Sequence, residues 1–333
     1  MDSLSQAALG AALSLATMGR RTAAWKAVLI GAAAGTLPDL DALIDFGDPV
    51  SNMTFHRGDS HSLLWLTLIA PPLAWVVSRL PGEAANGRRW WLALWLALVT
   101  HPLLDLMTIY GTQLLRPFSG EPYGVGSLFI IDPLYTLPLL MGVAAGLGGG
   151  LRWNQVGLAL SCMYIVWSVG AQAWVRGQAE DSLRAQGHQA PRLLVTPTPF
   201  NTLLWNVIAL TENGHYLQGQ RGLLDASGPM HFQRFARGSE WMPELAQHWH
   251  VQRIAWFSRG FWKLEREAEG VFVITDLRMG ISPNHVFAFR VHQTATERAS
   301  LPAPEAVGSR GDFRAAMAWL QRRVRGEPLP PPR

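Results

Sequence analysis

Six apolar segments crowd into the first 175 residues of this 333-residue chain, and nearly every charge among them sits in a connection. The segments run over residues 4–18, 25–37, 62–80, 90–107, 133–147 and 155–175. Crossing a bilayer takes about 20 consecutive apolar residues, a length that the third, fourth and sixth approach. The first, second and fifth are short and rich in Ala and Gly, which suits short spans, closely packed tilted helices or re-entrant segments. Trp90, Trp91, Trp153 and Trp174 lie near segment ends, where tryptophan anchors at the membrane interface. This favours a bilayer over the alternative, a soluble all-α bundle.

The connections differ in sign. Those after the first, third and fifth segments carry Arg20, Arg21, Lys26, Arg79, Arg88, Arg89 and Arg152 against the single acid Glu83. Those after the second and fourth carry Asp39, Asp41, Asp45, Asp48, Asp59, Glu121 and Asp132 against Arg57 and Arg116. Basic loops stay cytoplasmic, so the acidic connections are expected on the outer face. An even number of spans returns the chain to that face, making the remainder periplasmic. The N-terminal Met-Asp-Ser-Leu-Ser-Gln has neither the basic region nor the cleavage site of a signal peptide, so the first helix is expected to be retained.

Past residue 175 the character changes. Residues 176–192 are polar and read as a helix extension or linker. Alternating runs at 193–196, 203–209, 214–218, 253–256, 261–267, 270–276 and 285–292 predict an antiparallel sheet. Residues 311–325 form an amphipathic pattern, and the Pro-rich tail 327–333 lacks the apolar content for a packed structure. The expected fold is therefore an α-helical membrane bundle of about six short apolar helices, residues 1–175. A linker at 176–192 and a smaller β-rich or α+β soluble domain at 193–326 follow it. The formal charge of +4 is spread along the second part; without a clustered basic stripe it gives no case for nucleic acid. The lone Cys162 rules out a disulfide within the chain and a cysteine zinc site, and reads as a small packed apolar residue.

The chemistry is concentrated in a few phrases. All three histidines of the apolar half stand in His56-Arg57-Gly58-Asp59-Ser60-His61 or His101-Pro102-Leu103-Leu104-Asp105, beside Pro38-Asp39-Leu40-Asp41 and Ile131-Asp132-Pro133. Ionisable groups at membrane depth are functional candidates, and His with carboxylate is a ligand set for a divalent metal with a reactive water. His101 and Asp105, four apart, share one helical face. His56 and His61 flank Gly58, whose freedom would let a turn bring both imidazoles together. Asp39 or Asp41 would complete the ligands of His56, His61, His101 and Asp105, although either could instead cap a helix. Asp132 could orient or deprotonate water, or be an N-cap before Pro133. Arg57 could neutralise charge on a phosphoester. Gly-x-Ser-x-Gly, Walker-type and His-Glu-x-x-His motifs do not occur.

These phrases, in this order, together with the N-terminal Met1-Asp2-Ser-Leu-Ser-Gln-Ala-Ala-Leu-Gly, resemble the YdjM-like inner-membrane proteins of bacteria, described as metal-dependent hydrolases. The likeness covers residues 1–175, and Thr196-Pro-Thr-Pro-Phe-Asn and Asp276-Leu-Arg-Met-Gly look like a long branch with an extra C-terminal domain. Many relatives have His where Gln6 stands, which implies one donor fewer here or an amide oxygen in its place. The resemblance implies a membrane-bound metal-dependent hydrolase. Joined to the ligand set and the charge asymmetry, it leads us to expect a multi-pass inner-membrane enzyme in contact with membrane lipids, with Zn²⁺ or Mn²⁺ (one ion or a pair) at the outer face and a phosphoester or lipid-like substrate. The alternative is a non-enzymatic metal-stabilised scaffold or ion-handling protein.

Overall fold

The computed structural model describes residues 1–293 and 302–332. Helices α1 (Ser3–Met18), α2 (Ala24–Thr36), α3 (Pro49–Phe55), α4 (Leu63–Ser78), α5 (Gly87–Leu106), α6 (Pro133–Leu147) and α7 (Leu151–Ala185) come first. Strands β1 (Arg192–Pro197), β2 (Leu204–Leu210), β3 (His215–Gly222) and β4 (Gln233–Ala236) follow, then α8 (Trp249–Phe257). The chain closes with β5 (Trp262–Ala268), β6 (Val271–Asp276), β7 (Gly280–Ile281), β8 (Asn284–His285), β9 (Ala288–His292), β10 (Glu305–Ala306) and α9 (Phe313–Val324). The half ahead of β1 is thus helical and the half after α7 is built on sheets. Six of the helices coincide with the six apolar segments. Among the described residues, α7 is the one helix that is by itself long and apolar enough to cross a bilayer; α6 is apolar but shorter.

The chain divides into two compact units, one of Met1–Ile44, His56–Ser168 and Pro199–Asn201, the other of Asp45–Phe55, Val169–Thr198 and Thr202–Arg333. In the first unit α1 is the central element. Asp2 caps it by accepting from the Leu4 and Ser5 amides, and Gly19, at φ 57°, ends it. Its side chains are small, and it is buried on nearly every side against α2, α5 and α6. A helix with no polar stripe belongs inside a bundle.

Backbone-to-backbone approach is what makes this packing possible. A Cβ built on Gly10 would lie 2.2 Å from the Gly31 carbonyl oxygen, one on Gly31 2.4 Å from that of Gly10, and one on Gly35 2.5 Å from that of Gln6. Gly31 and Gly35 form a small-x-x-x-small step that lets two helices touch through their main chains. Around the crossing, Leu15, Met18, Ala27, Ala34, Ala74, Trp90, Ala93, Leu94 and Ala97 form one buried cluster. Ala8, Leu9, Ala12, Leu104, Leu128, Tyr135, Leu139 and Val143 form a second.

The acid among the arginines is also structural. Glu83, 2% exposed in the α4–α5 connection, accepts from Thr22 Oγ1, Lys26 Nζ, Asn86 Nδ2 and Trp90 Nε1 at 2.5, 3.2, 3.0 and 2.9 Å. Burial pushes its carboxyl up, but these donors outweigh that and hold it at about 2.

The second unit carries two antiparallel four-stranded sheets, in orders β1-β2-β3-β4 and β10-β9-β6-β5, with the small pair β7-β8. Residues 176–185 prove to be helix extension rather than linker. The stripe Ala171, Val175, Ala179, Leu183 repeats every four residues and is buried against Val195, Trp205, Val207 and Leu217. Two expectations are corrected. Residues 253–256 are not a strand but part of α8, whose buried His250, Val251, Ile254 and Phe257 follow the helical period. Cys162 is not packed inside; it is exposed on the outward face of α7.

Two measurements check this account. Gly31→Ala drives a Cβ into main chain that cannot retreat, and is expected to cost about 1–3 kcal/mol; Gly170→Ala, with nothing within 4 Å of the new carbon, is expected to be neutral or better. Thermal unfolding in detergent compares the two. The second concerns Glu83, whose folded pKa lies below its ordinary value of 4.5. Its contribution is complete above that value and is lost as pH falls toward 2. The wild-type protein should lose more stability between pH 5 and 3 (about the span of that titration) than Glu83→Gln does, by the same unfolding measurement.

Candidate metal centre

Three stretches of the first unit supply the polar side chains. Pro38 has no N–H with which to continue the α2 ladder, so the chain tightens into the 3₁₀ turn Leu37–Leu43. That turn directs Asp39 and Asp41 inward. The phrase 56–61 makes a second turn, closed by the 3₁₀ segment Asp59–His61. Its left-handed residue is Arg57, at φ 62°, whereas Gly58 sits at φ −85°, ψ −119°. The strain at Arg57 persists because its main chain is held from both sides. Its N–H donates to Asp41 Oδ2 at 3.0 Å and its carbonyl accepts from the Gln113 amide at 3.0 Å.

The last two turns of α5 supply His101 and Asp105, both fully buried. His101 Nδ1 lies 2.6 Å from the Gly35 carbonyl oxygen. Gly35 belongs to the last turn of α2, where carbonyls have no partner within the helix, and a carbonyl only accepts. Nδ1 therefore carries a proton, and in the neutral ring Nε2 presents a lone pair. The same reasoning fixes His61. Ser60 Oγ donates its single proton to Asp41 Oδ2 at 2.5 Å, so in its 2.9 Å contact with His61 the Nδ1–H of the imidazole donates and Ser60 Oγ accepts. Such outer contacts fix the tautomer and aim of a ligating histidine.

The two Nε2 atoms meet at 3.1 Å. His61 Nε2 lies 3.4 Å from Asp39 Oδ1 and 3.2 Å from Asp105 Oδ2; His101 Nε2 lies 3.4 and 3.5 Å from the same oxygens. Four potential ligand atoms on four residues thus converge within 4.8 Å of one another. Ligands at about 2.0–2.2 Å from one ion in tetrahedral array stand roughly 3.3–3.6 Å apart, the spacing found here. Asp105 Oδ2 and Gln6 Oε1 are also buried without a hydrogen-bond donor. A divalent cation fits this donor set.

The surroundings hold the carboxylates in place. Asp105 Oδ1 accepts from Gln6 Nε2 at 3.1 Å and contacts the amino group of Met1. Arg57 Nε lies 3.3 Å from Asp105 Oδ2, and its NH1 donates to Thr108 Oγ1 at 3.3 Å. Asp41 takes His56 Nδ1 at 2.8 Å in addition to Arg57 N–H and Ser60. Burial pushes its carboxyl up, but His56 and Ser60 outweigh this and hold it below the ordinary range.

Of the residues singled out from sequence, Asp39, His61, His101 and Asp105 come together. His56 and Asp41 form an adjoining group that shares Asp39. Arg57 is drawn in as the partner of Asp105. Asp132 does not join: its Oδ1 caps α6 through the Leu134 amide, and its Oδ2 accepts from Tyr164 at 3.0 Å. Sequence reasoning missed the Gly35 carbonyl and Ser60. The position of Ser60 beside His61 was a usable signal; the main-chain carbonyl of a glycine gave none.

A family model described as YdjM inner membrane protein matches residues 1–175, the stretch that contains all four cluster residues. The uncharacterized protein YfhP of Bacillus subtilis (strain 168) is 29% identical over 175 residues, covering 50% of this chain and 51% of the relative. The chain therefore spans about half the length of the curated relative it matches. No solved structure matches it.

Added Zn²⁺ or Mn²⁺ should raise the thermal midpoint of the purified protein, and chelator should reverse the shift. At 100-fold excess over Kd the stabilisation is about 2.7 kcal/mol. His61→Ala should abolish the shift, and the gain should shrink as pH falls and protons compete for the same lone pairs.

Proposed function

We propose, from the premise that the chain belongs to the YdjM inner membrane protein family, that it is a membrane-bound hydrolase dependent on Zn²⁺ or Mn²⁺ held by Asp39, His61, His101 and Asp105. The observation that carries this reading is the convergence of two imidazoles and two carboxylates, with His61 Nε2 and His101 Nε2 3.1 Å apart and each 3.2–3.5 Å from Asp39 Oδ1 and Asp105 Oδ2. When bound, such a cation supplies Lewis acidity and an activated water. The chain's own residues would divide the remaining work. Arg57 balances Asp105 and favours an anionic substrate such as a phosphoester. His56, held by Asp41 and packed edge-on against Tyr110, is the half-buried imidazole of the group, with Nε2 as the nitrogen left to exchange a proton. The charge asymmetry of the connections supports a site at the outer membrane face, with residues 176–333 periplasmic.

One feature favours a second reading, a metal-stabilised scaffold. Four protein donors are enough to close a tetrahedral shell, and structural sites are closed. Metal content, thermal stability and hydrolysis of a panel of phosphoesters, measured on three proteins, separate the two. In a hydrolase, His101→Ala loses metal and turnover, whereas His56→Ala keeps the metal and loses about 10²–10⁴-fold in rate. If metal-loaded wild type turns over nothing in the panel, and His101→Ala loses its fold along with its metal, the scaffold reading replaces the hydrolase.

A further inference from the structure

The surface around the turn that carries His56 and His61 is apolar where a water-facing connection would be polar. On one side, the turn Leu37–Leu43 sends Asp39 and Asp41 inward and Leu40 and Leu43 outward, with Ile44 beyond them; Leu43 is 83% exposed. Asp41 joins this segment to the 56–61 turn through the Arg57 amide and Ser60. On the other side, the segment after α5 is joined to the same turn by Gln113 N–H on the Arg57 carbonyl, Leu63 N–H on the Leu114 carbonyl and Ser62 Oγ on the Arg116 carbonyl. Its Leu115 and Phe118 point outward, Phe118 at 84% exposure. Single exposed leucines are ordinary, but five large apolar side chains flanking one charged cluster form a patch of the kind that marks an interaction surface.

What covers this collar follows from its continuity. Helix α4 starts at Leu63, directly after the turn, and its first outward-facing aromatic, Trp65, is exposed one residue pair into the helix. Tryptophan there matches the interfacial belt of a membrane helix, and the chain belongs to an inner membrane protein family. Beside the collar stand half-buried Arg116 and exposed Asp59, 3.7 Å apart, which bring both signs of charge to the place where a zwitterionic headgroup would lie.

We propose that Leu40, Leu43, Ile44, Leu115 and Phe118 form a collar seated at the headgroup–acyl boundary of the bilayer, through which the His/Asp cluster takes amphiphiles directly from the membrane. The substrate clause rests on the hydrolase reading; the collar itself does not. The lipid chain lies along the collar while its polar head reaches the buried donors, so the substrate class is a phosphoester carrying a long apolar chain.

The test uses the full chain with Cys162→Ser, a single Leu43→Cys, Phe118→Cys or Asn213→Cys, an NBD label, and phosphatidylcholine/phosphatidylglycerol vesicles. Asn213 is an exposed hairpin residue of the second unit and serves as the aqueous control. Labels at 43 and 118 should emit blue-shifted and be quenched more by shallow doxyl lipids than by iodide, with the reverse at 213. Quenching by iodide at 43 and 118, or protection from both quenchers, overturns the collar, the second result by showing that protein covers it. In parallel, Phe118→Asp should keep its metal and hydrolyse a water-soluble chromogenic phosphodiester like wild type, while losing roughly tenfold or more on a long-chain analogue presented in vesicles. Equal loss on both substrates overturns entry from the membrane. If wild type hydrolyses neither, the hydrolase reading and the substrate clause fall together, and the quenching result still decides the collar.

Discussion

The main-chain contact between α1 and α2 sets the geometry of everything around it. Because Gly10, Gly31 and Gly35 carry no side chains, the two helices approach until carbonyl oxygens sit where Cβ atoms would otherwise be. That approach puts the Gly35 carbonyl against His101 and the Gln6 amide against Asp105. The crossing is therefore both the packing centre of the first unit and the device that aims two of its four converging donors. A shift of one helix by even an ångström would break a 2.6 Å contact and release the imidazole to either tautomer. Stability and site geometry are coupled here through backbone, so side-chain repacking cannot compensate for a bulkier residue.

Burying two carboxylates and two imidazoles in an apolar bundle is expensive unless charge is matched. The structure matches part of it locally: Arg57 faces Asp105, and Asp41 receives three donors. What stays unmatched is the lone-pair density at the centre, with Asp105 Oδ2 lacking a donor. The first unit thus separates two kinds of buried acid. Glu83 and Asp41 are saturated by hydrogen bonds and act as pins, whereas Asp39 and Asp105 keep an oxygen turned toward the histidines.

Much of this was legible in the chain. Segment boundaries followed from hydropathy, and the pairing of His101 with Asp105 followed from helical spacing. The gathering of Asp39 and His61 beside them was suggested by a shared level at segment ends. Other parts needed three dimensions. Asp132 reads equally as a cap or as a base that orients water, and only in three dimensions are its Leu134 and Tyr164 contacts visible. Gly58 is expected to bend its turn, and at φ −85°, ψ −119° it does lie outside the regions open to other residues; what the chain does not reveal is that the left-handed φ falls on Arg57, clamped between Asp41 and Gln113. Residues 253–256 alternate over too short a stretch to separate a period of 2 from 3.6. Asp45–Phe55 lies between two apolar segments in sequence yet clusters with the sheet-bearing unit, which no local pattern reveals.

The tautomers set by Gly35 and Ser60 also bear on selectivity among ions. Both imidazoles already present Nε2, so capture of a cation requires no rearrangement of either ring. A rigid pair of nitrogens with a pair of oxygens, and no sulfur, disfavours soft ions that seek thiolate and hard ions that seek six or more oxygens. Intrinsic affinity alone would still rank Cu²⁺ above Zn²⁺. Shape would oppose that order if the ring positions hold: each Nε2 stands 3.1–3.5 Å from the other and from both carboxylate oxygens, a spacing nearer to a tetrahedron than to a square plane. Discrimination in this protein would then reside in the stiffness of a glycine crossing that itself supplies no atom to the ion.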